Sequence, residues 1–532
     1  MRKHTVRKTR AGTKSRFRKR RALCLMGLLA GAGVALPARA DDGTAASKAN
    51  DANDAKQNIS LGLAPGTPQV GAMPGGLTPA YGQRAPDDAE WRFDFHGFLT
   101  MPLRAGINTR SGTVTTEQHV QVLHAPPVTP DYRDSFAYTT VVPQPYAQLN
   151  FSYGNQIVTG NVVLLSRTAT TAQSFYNPPD QSGISDAFVN FRLPMARNVH
   201  VDANVGAFSN RYGVMGEYDE GKYGTPVIAR VNGVGENVIA KLGLGKAVIA
   251  LEQGFAGQFD KFPADTLPQG WNGFGDPNAG SGFVNHLHAG VGYLSTATLG
   301  LHYLYAWTQD DRAAQGSTPD GKLRVLGADV RLTTGNLGHL YLAASHTRAF
   351  HVGSLGRILE VMNTGGGQGL IDNYLGSKSD GSGTLVTFAA QYDVSLQSIL
   401  RYPEVFNGES PDFVLSAFAM ETHVSSNDPS YDGVIKRKFG AEGGVSLLSW
   451  LAASLRVDDV IPVAADTSQS FAIVSPRLIF RSKWQAHDQV VLQYSHFFYG
   501  DHVIVRSGYP AVPDPSIHPD RNMVSLSATM WW

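Results

Sequence analysis

Two sets of charged residues suggest a joint chemistry. In the Gly-punctuated stretch 210–235, Glu217, Asp219, Glu220 and Lys222 lie close together. Much later, Lys436, Lys438, Arg456, Arg477 and Arg481 share one side of segments that alternate polar and apolar residues. Acids on an infolded loop, set across a water-filled space from a basic wall, create a transverse field that orients dipolar solutes and filters ions. That chemistry is electrostatic and forms no covalent bond.

The candidates for reactive chemistry are weaker. His286 and His288 share one face of a segment, and a three-residue turn at Ser295 to Ala297 puts His302 diagonal to His288. A transition metal needs three or four such ligands in a closed geometry. Histidines solvated on a wet face are the favoured reading. Ser345 with His346 and Ser495 with His496 are neighbours in extended segments, where adjacent side chains point to opposite faces and share no proton. The stretches Asp372 to Gly383 and Asn427 to Gly433 offer carboxylates without calcium-ligand spacing. Neither turnover, nor a cofactor, nor a metal is therefore expected.

All these residues ride on one kind of element. Period-two segments run over 91–106, 143–153, 156–167, 184–193, 197–209, 236–244, 247–257, 283–294 and 297–309. Nine more run over 322–333, 337–349, 384–396, 411–424, 432–447, 450–458, 468–482, 487–499 and 522–532. In 297–309, Leu299, Leu301, Tyr303, Tyr305 and Trp307 alternate with Thr298, Gly300, His302 and Thr308. The same division separates Val199, Val201, Ala203, Val205 and Ala207 from His200, Asp202, Asn204 and Gly206. One face suits lipid and the other suits water.

Long and short connections alternate, as antiparallel strands crossing a bilayer require. The pattern predicts an all-β transmembrane antiparallel barrel of eighteen strands over 91–532, with long extracellular loops and short periplasmic turns. Sixteen stays open, because 236–244 alternates weakly and the connection 397–410 is long for a short turn. A soluble sandwich would carry more Lys and Glu than a chain with 17% charged residues.

The two ends agree on compartment. Residues 1–40 hold twelve basic residues and no acid, an apolar run from Ala22 to Leu36, and Pro37-Ala38-Arg39-Ala40, the layout of a signal peptide cleaved after Ala40. Residues 41–90 are rich in Ala, Gly, Asp, Pro and Gln and read as a disordered periplasmic leader. Beyond residue 40 the chain has 33 basic and 44 acidic residues, a formal charge of −11. No basic patch is left for nucleic acid. Cys24 lies in the signal, so the mature chain has no thiol. From Val524, the apolar residues Leu526, Ala528, Met530 and Trp532 alternate with Ser525, Ser527 and Thr529, the strand that outer-membrane barrel assembly machinery reads.

Phe93-Asp94-Phe95-His96-Gly97-Phe98, followed by Arg104-Ala105-Gly106-Ile107, resembles the first strand of maltoporin-type sugar porins. The closing Met530-Trp531-Trp532 is similar to their end. Ser185-Asp186-Ala187-Phe188-Val189-Asn190-Phe191, with Val205-Gly206-Ala207-Phe208 and then Tyr212-Gly213, resembles instead the strand pair before the constriction loop of general and phosphate-type porins. The first resemblance implies an eighteen-stranded homotrimer. The two together leave the solute open between sugars and anions.

The expected function is a passive outer-membrane diffusion channel of a Gram-negative bacterium for small hydrophilic solutes. Its rival is a barrel with an occluded lumen that serves as surface receptor, adhesin or structural protein. The Gly-rich loop 350–383 is long enough for either. Two placements of 210–235 are also open: folded into the pore, or at the surface against lipopolysaccharide or a neighbouring subunit.

Overall fold

The computed structural model describes residues 91–107, 146–155, 157–166, 182–196, 198–211, 230–258, 281–294, 296–309, 320–333, 337–355, 371, 374, 375, 380–396, 413–448, 450–482, 488–500, 505–507, 512–514 and 522–531. The expected signal peptide, the leader and the loop bearing Glu217, Asp219, Glu220 and Lys222 lie outside them.

The first strands are β1 (Arg92–Ile107), β2 (Tyr146–Gly154), β3 (Val158–Ser166), β4 (Ser182–Ala196), β5 (Val199–Arg211) and β6 (Arg230–Leu244). Then come β7 (Ala247–Gln258), β8 (Ser281–Tyr293), β9 (Ala297–Gln309), β10 (Lys322–Thr333), β11 (His339–Phe350) and β12 (Gly383–Ser395). The rest are β13 (Phe413–Ser426), β14 (Ile435–Leu448), β15 (Leu451–Ile461), β16 (Phe471–Phe480), β17 (Asp488–Tyr499), the short pair β18 (Val505–Ser507) and β19 (Val512–Asp514), and β20 (Asn522–Trp531). Each strand from β1 to β16 pairs antiparallel with its successor in sequence, β17 pairs with β20, and β20 pairs with β1. The sheet is therefore a closed ring of eighteen strands, with no edge left to aggregate. β18 and β19 form a separate hairpin that periodicity did not reveal.

The eighteen-strand reading holds and sixteen is ruled out. β6 begins at Arg230, earlier than the alternation from residue 236 suggests, because Val231-Asn232-Gly233-Val234-Gly235 extends along β5 with little side-chain contrast. Two facing glycines make that stretch possible. A Cβ on Gly235 would lie 1.9 Å from the Phe255 carbonyl oxygen, and Gly206, at φ +135°, would place one 2.4 Å from that of Ala187. Such crowding and such a φ admit glycine alone.

Alternation sets the two faces of the wall. Outward, Leu251, Leu301 and Met530 are 58%, 56% and 54% exposed. Surface of that kind, continuous round a ring, fits lipid rather than water. Aromatic residues mark both ends of the wall. Trp91, Phe93, Phe95, Phe151, Tyr153, Tyr293, Trp450 and Phe480 stand where β1 begins and β20 ends, here called the proximal end. Phe255, Phe283, Tyr305 and Trp307 stack at the distal end. This is a membrane-spanning barrel with its interfacial girdles.

Candidate functional site: the inward wall

The inward face is polar at mid-height and apolar distally. On β14–β16 four of the five sequence-predicted cations, Lys436, Lys438, Arg456 and Arg477, fall on the inward face. Lys436 and Lys438 are buried, and the Lys438 Nζ lies 6.0 Å from the Phe418 ring centre. Arg456, 1% exposed, donates to Asp458 through Nε at 2.8 Å and through Nη2 at 3.2 Å. Arg477 donates from Nη1 to Glu442 at 3.1 Å and from Nε to the Gln493 amide oxygen at 2.8 Å. Gln493 donates in turn to Ser495 at 2.8 Å, and Ser495 meets Ser475 at 2.9 Å.

The basic wall also carries acids. Glu442 and Asp458 are built into it, because strand register sets Arg456 opposite Glu442 and the i, i+2 spacing sets it beside Asp458. Arg481 stands apart. β16 ends at Phe480, and Arg481 lies in the proximal turn, its backbone N–H donating to the Trp450 carbonyl. Burial, partly opposed by Asp488, pulls its guanidinium below the ordinary arginine range.

A second polar belt occupies β7–β10. Glu252, His286, His288, His302 and Asp329 all point inward and are buried. His286 Nε2 lies 3.3 Å from Glu252 Oε1, and His302 Nε2 lies 2.8 Å from Asp329 Oδ2. The expected solvated histidines are thus buried ones, two of them set against carboxylates. His302 is directly opposite His288 and not diagonal, because β8 ends at Tyr293 and β9 begins at Ala297. Asp329 had gone unrecognised. The clue was the inward row Gly327, Asp329, Arg331 of β10, in which Asp329 pairs with Gly300.

Proximally, on β4–β6, Asp202 accepts from Arg192 at 3.4 Å and from Lys241 at 3.2 Å.

On the β10–β13 sector, described residues of the β11–β12 connection pack against the inward face. Leu323, Val325, Ala349, Leu385, Phe418, Met420 and Val424 form one apolar cluster with Val352, Leu355, Ile371, Tyr374 and Leu375 from the β11–β12 connection. Tyr374 also donates to the Pro462 carbonyl at 3.1 Å, just past β15. Glycines at the strand shoulders make room. A Cβ on Gly321 would lie 2.7 Å from Leu355 Cγ, and one on Gly383 would lie 2.7 Å from Leu375 Cδ2. Among the described residues, the connection that folds inward is therefore this one, and the expected constriction at 210–235 lies in part beyond them.

Among the described residues, one charged group on the outward face is a compact three-residue cluster. Beside Ala328, Ala344, Ala390 and Ala419, Glu421 accepts from Arg437 Nε at 2.6 Å and meets His423 Nε2 at 2.7 Å.

No protein-family model and no curated protein matches the chain. Among solved structures it is similar to OmpT, an outer membrane protein of Vibrio cholerae, in its trimer form: 10% identity over 84% of this chain and 100% of that one, TM-score 0.36. It is also similar to OccK3 (OpdO) of Pseudomonas aeruginosa, at 10% identity over 82% and 96%, TM-score 0.37. The outer membrane channel DcaP of Acinetobacter baumannii is similar at 10% identity over 84% and 99%, TM-score 0.34. Likenesses at these scores carry no functional argument. The barrel rests on its own strand pairings, which close into a ring with an apolar outer wall.

Proposed function

We propose that the chain is a passive outer-membrane channel of a Gram-negative bacterium for small hydrophilic solutes, and that it performs no turnover. The observation that carries this reading is the polar inward row of a closed eighteen-stranded ring. Lys436, Lys438, Arg456, Arg477, Glu442 and Asp458 line its inward face, where a passage for polar solutes needs them. Their burial, with the inward-packed Val352, Leu355, Ile371, Tyr374 and Leu375, favours a narrow passage. The same burial supports the second reading, a surface receptor or adhesin with an occluded lumen.

The acids Glu217, Asp219 and Glu220, with Lys222, are proposed to face the basic belt across the passage, while Arg481 acts at its proximal mouth. Maltoporin-type and phosphate-type solutes, sugars and anions, remain the two classes this wall suits. The homotrimer is proposed to form through the outward sector around Glu421 and Arg437. Charged groups on a lipid-facing wall carry a desolvation cost that depends on depth, and a subunit contact removes it.

Purified protein in planar bilayers tests all three points. Stepwise currents are expected, grouped in threes, and Glu217→Ala shifts the reversal potential toward anion preference. Silent membranes at high protein concentration overturn the channel. Isolated single steps overturn the trimer.

A further inference from the structure

The buried cluster on β8–β10 has a geometry that goes beyond a diffusion channel. His288, His302 and Asp329 each offer a donor atom, and these atoms all lie within 4.8 Å of one another. Each residue comes from a different strand, fixed by pairings that run without a bulge: His288 opposite His302, and Gly300 opposite Asp329. The rings of His288 and His302 have centres 4.6 Å apart. Such a triad is not imposed by the alternation of the strands, which requires only polar residues.

The surroundings are cut to fit it. A Cβ on Gly300 would fall 2.2 Å from Asp329 Oδ1 and 2.8 Å from His288 Nε2, so the space between carboxylate and imidazole exists only because residue 300 is glycine. A Cβ on Gly290 would lie 3.0 Å from His288 Cε1, and one on Gly254 would lie 2.1 Å from His286 Cε1. Glu252 sits opposite His288 in the register and contacts His286 at 3.3 Å, which adds a second carboxylate to the same buried wall.

We propose that His288, His302 and Asp329 form a binding site for a divalent transition cation of the zinc type. Two imidazole nitrogens and one carboxylate oxygen are the donor set of three-ligand zinc sites, whose fourth position goes to water or a further carboxylate. Zinc–ligand bonds of 2.0–2.2 Å imply donors about 3.3 Å apart in a tetrahedron, so small rotations within this cluster close the geometry. Magnesium and calcium are disfavoured, because both call for sets of oxygen ligands. Glu252, opposite His288 in the register, keeps a second negative charge beside the ion. The bound cation would pin three adjacent strands and add positive charge to the β8–β10 arc of the ring.

The test uses full-length protein refolded in detergent, stripped with a chelator and dialysed. Zinc alone is titrated against a chromophoric competitor, and cobalt(II) is added separately as a spectroscopic probe. One zinc per chain is expected, with His302→Ala and Asp329→Asn each weakening it at least tenfold and His423→Ala on the outer wall leaving it unchanged. Cobalt should give the intense visible bands of a four-coordinate site. Should the variants fail to refold, the cobalt spectrum of the unaltered protein decides. Absence of saturable zinc binding, undiminished binding by folded His302→Ala, or a pale six-coordinate cobalt spectrum overturns the site. Because the readout is binding and not current, the site can fail while the channel stands, and the reverse.

Discussion

Arg456→Ala costs about 3–5 kcal/mol of stability, because it strands the buried Asp458 carboxylate without its bidentate partner. The charge change acts in the same direction on transport. Removing one cation from a belt that holds Lys436, Lys438 and Arg477 alongside Glu442 and Asp458 moves the passage toward cation preference. Urea unfolding in detergent micelles measures the first effect and the reversal potential the second. Arg456→Ala combined with Asp458→Ala recovers most of the stability, since the uncompensated charge leaves with its partner. If the single variant unfolds like the parent, the pair lies in water and the inward wall has been misread.

Leu375→Asp is expected to enlarge the current. Leu375 and Leu355 tie the β11–β12 connection to the inward residues Leu323, Leu385 and Val424, and loss of a buried leucine removes about 2–5 kcal/mol of packing. A carboxylate in its place has no partner in that apolar cluster, so the segment leaves the wall. Larger single-channel steps are expected with barrel stability little changed, because the connection belongs to no ring pairing. Unchanged step size would mean that the segment narrows nothing.

Much of this was legible in the residues. Period-two alternation is a local property, and it located the eighteen ring strands and both faces of the wall, as Leu299 and Leu301 against His302 illustrate. Register is not local. One residue of turn length decides whether His302 sits diagonal or opposite to His288, and so whether Asp329 joins them. The salt-bridged character of the basic belt was hidden for the same reason, since Glu442 meets Arg477 across an intervening strand. The infolded connection escaped notice because its apolar residues, Val352, Leu355, Ile371, Tyr374 and Leu375, are scattered among glycines with no period to betray which surface they cover. The N-terminal half of β6 was weak in sequence because glycine carries no face.

The closure of β20 onto β1 underlies every statement about inside and outside, and a cysteine pair at Leu99 and Met530 tests it directly. The two residues are register partners on the outward face, and the only native cysteine, Cys24, lies in the expected signal. Leu99→Cys with Met530→Cys is expected to form an intramolecular disulfide in membranes, seen as a mobility shift reversed by reductant, while Leu99→Cys with Leu526→Cys does not. A disulfide formed equally by both pairs, or by neither, would contradict the closed ring.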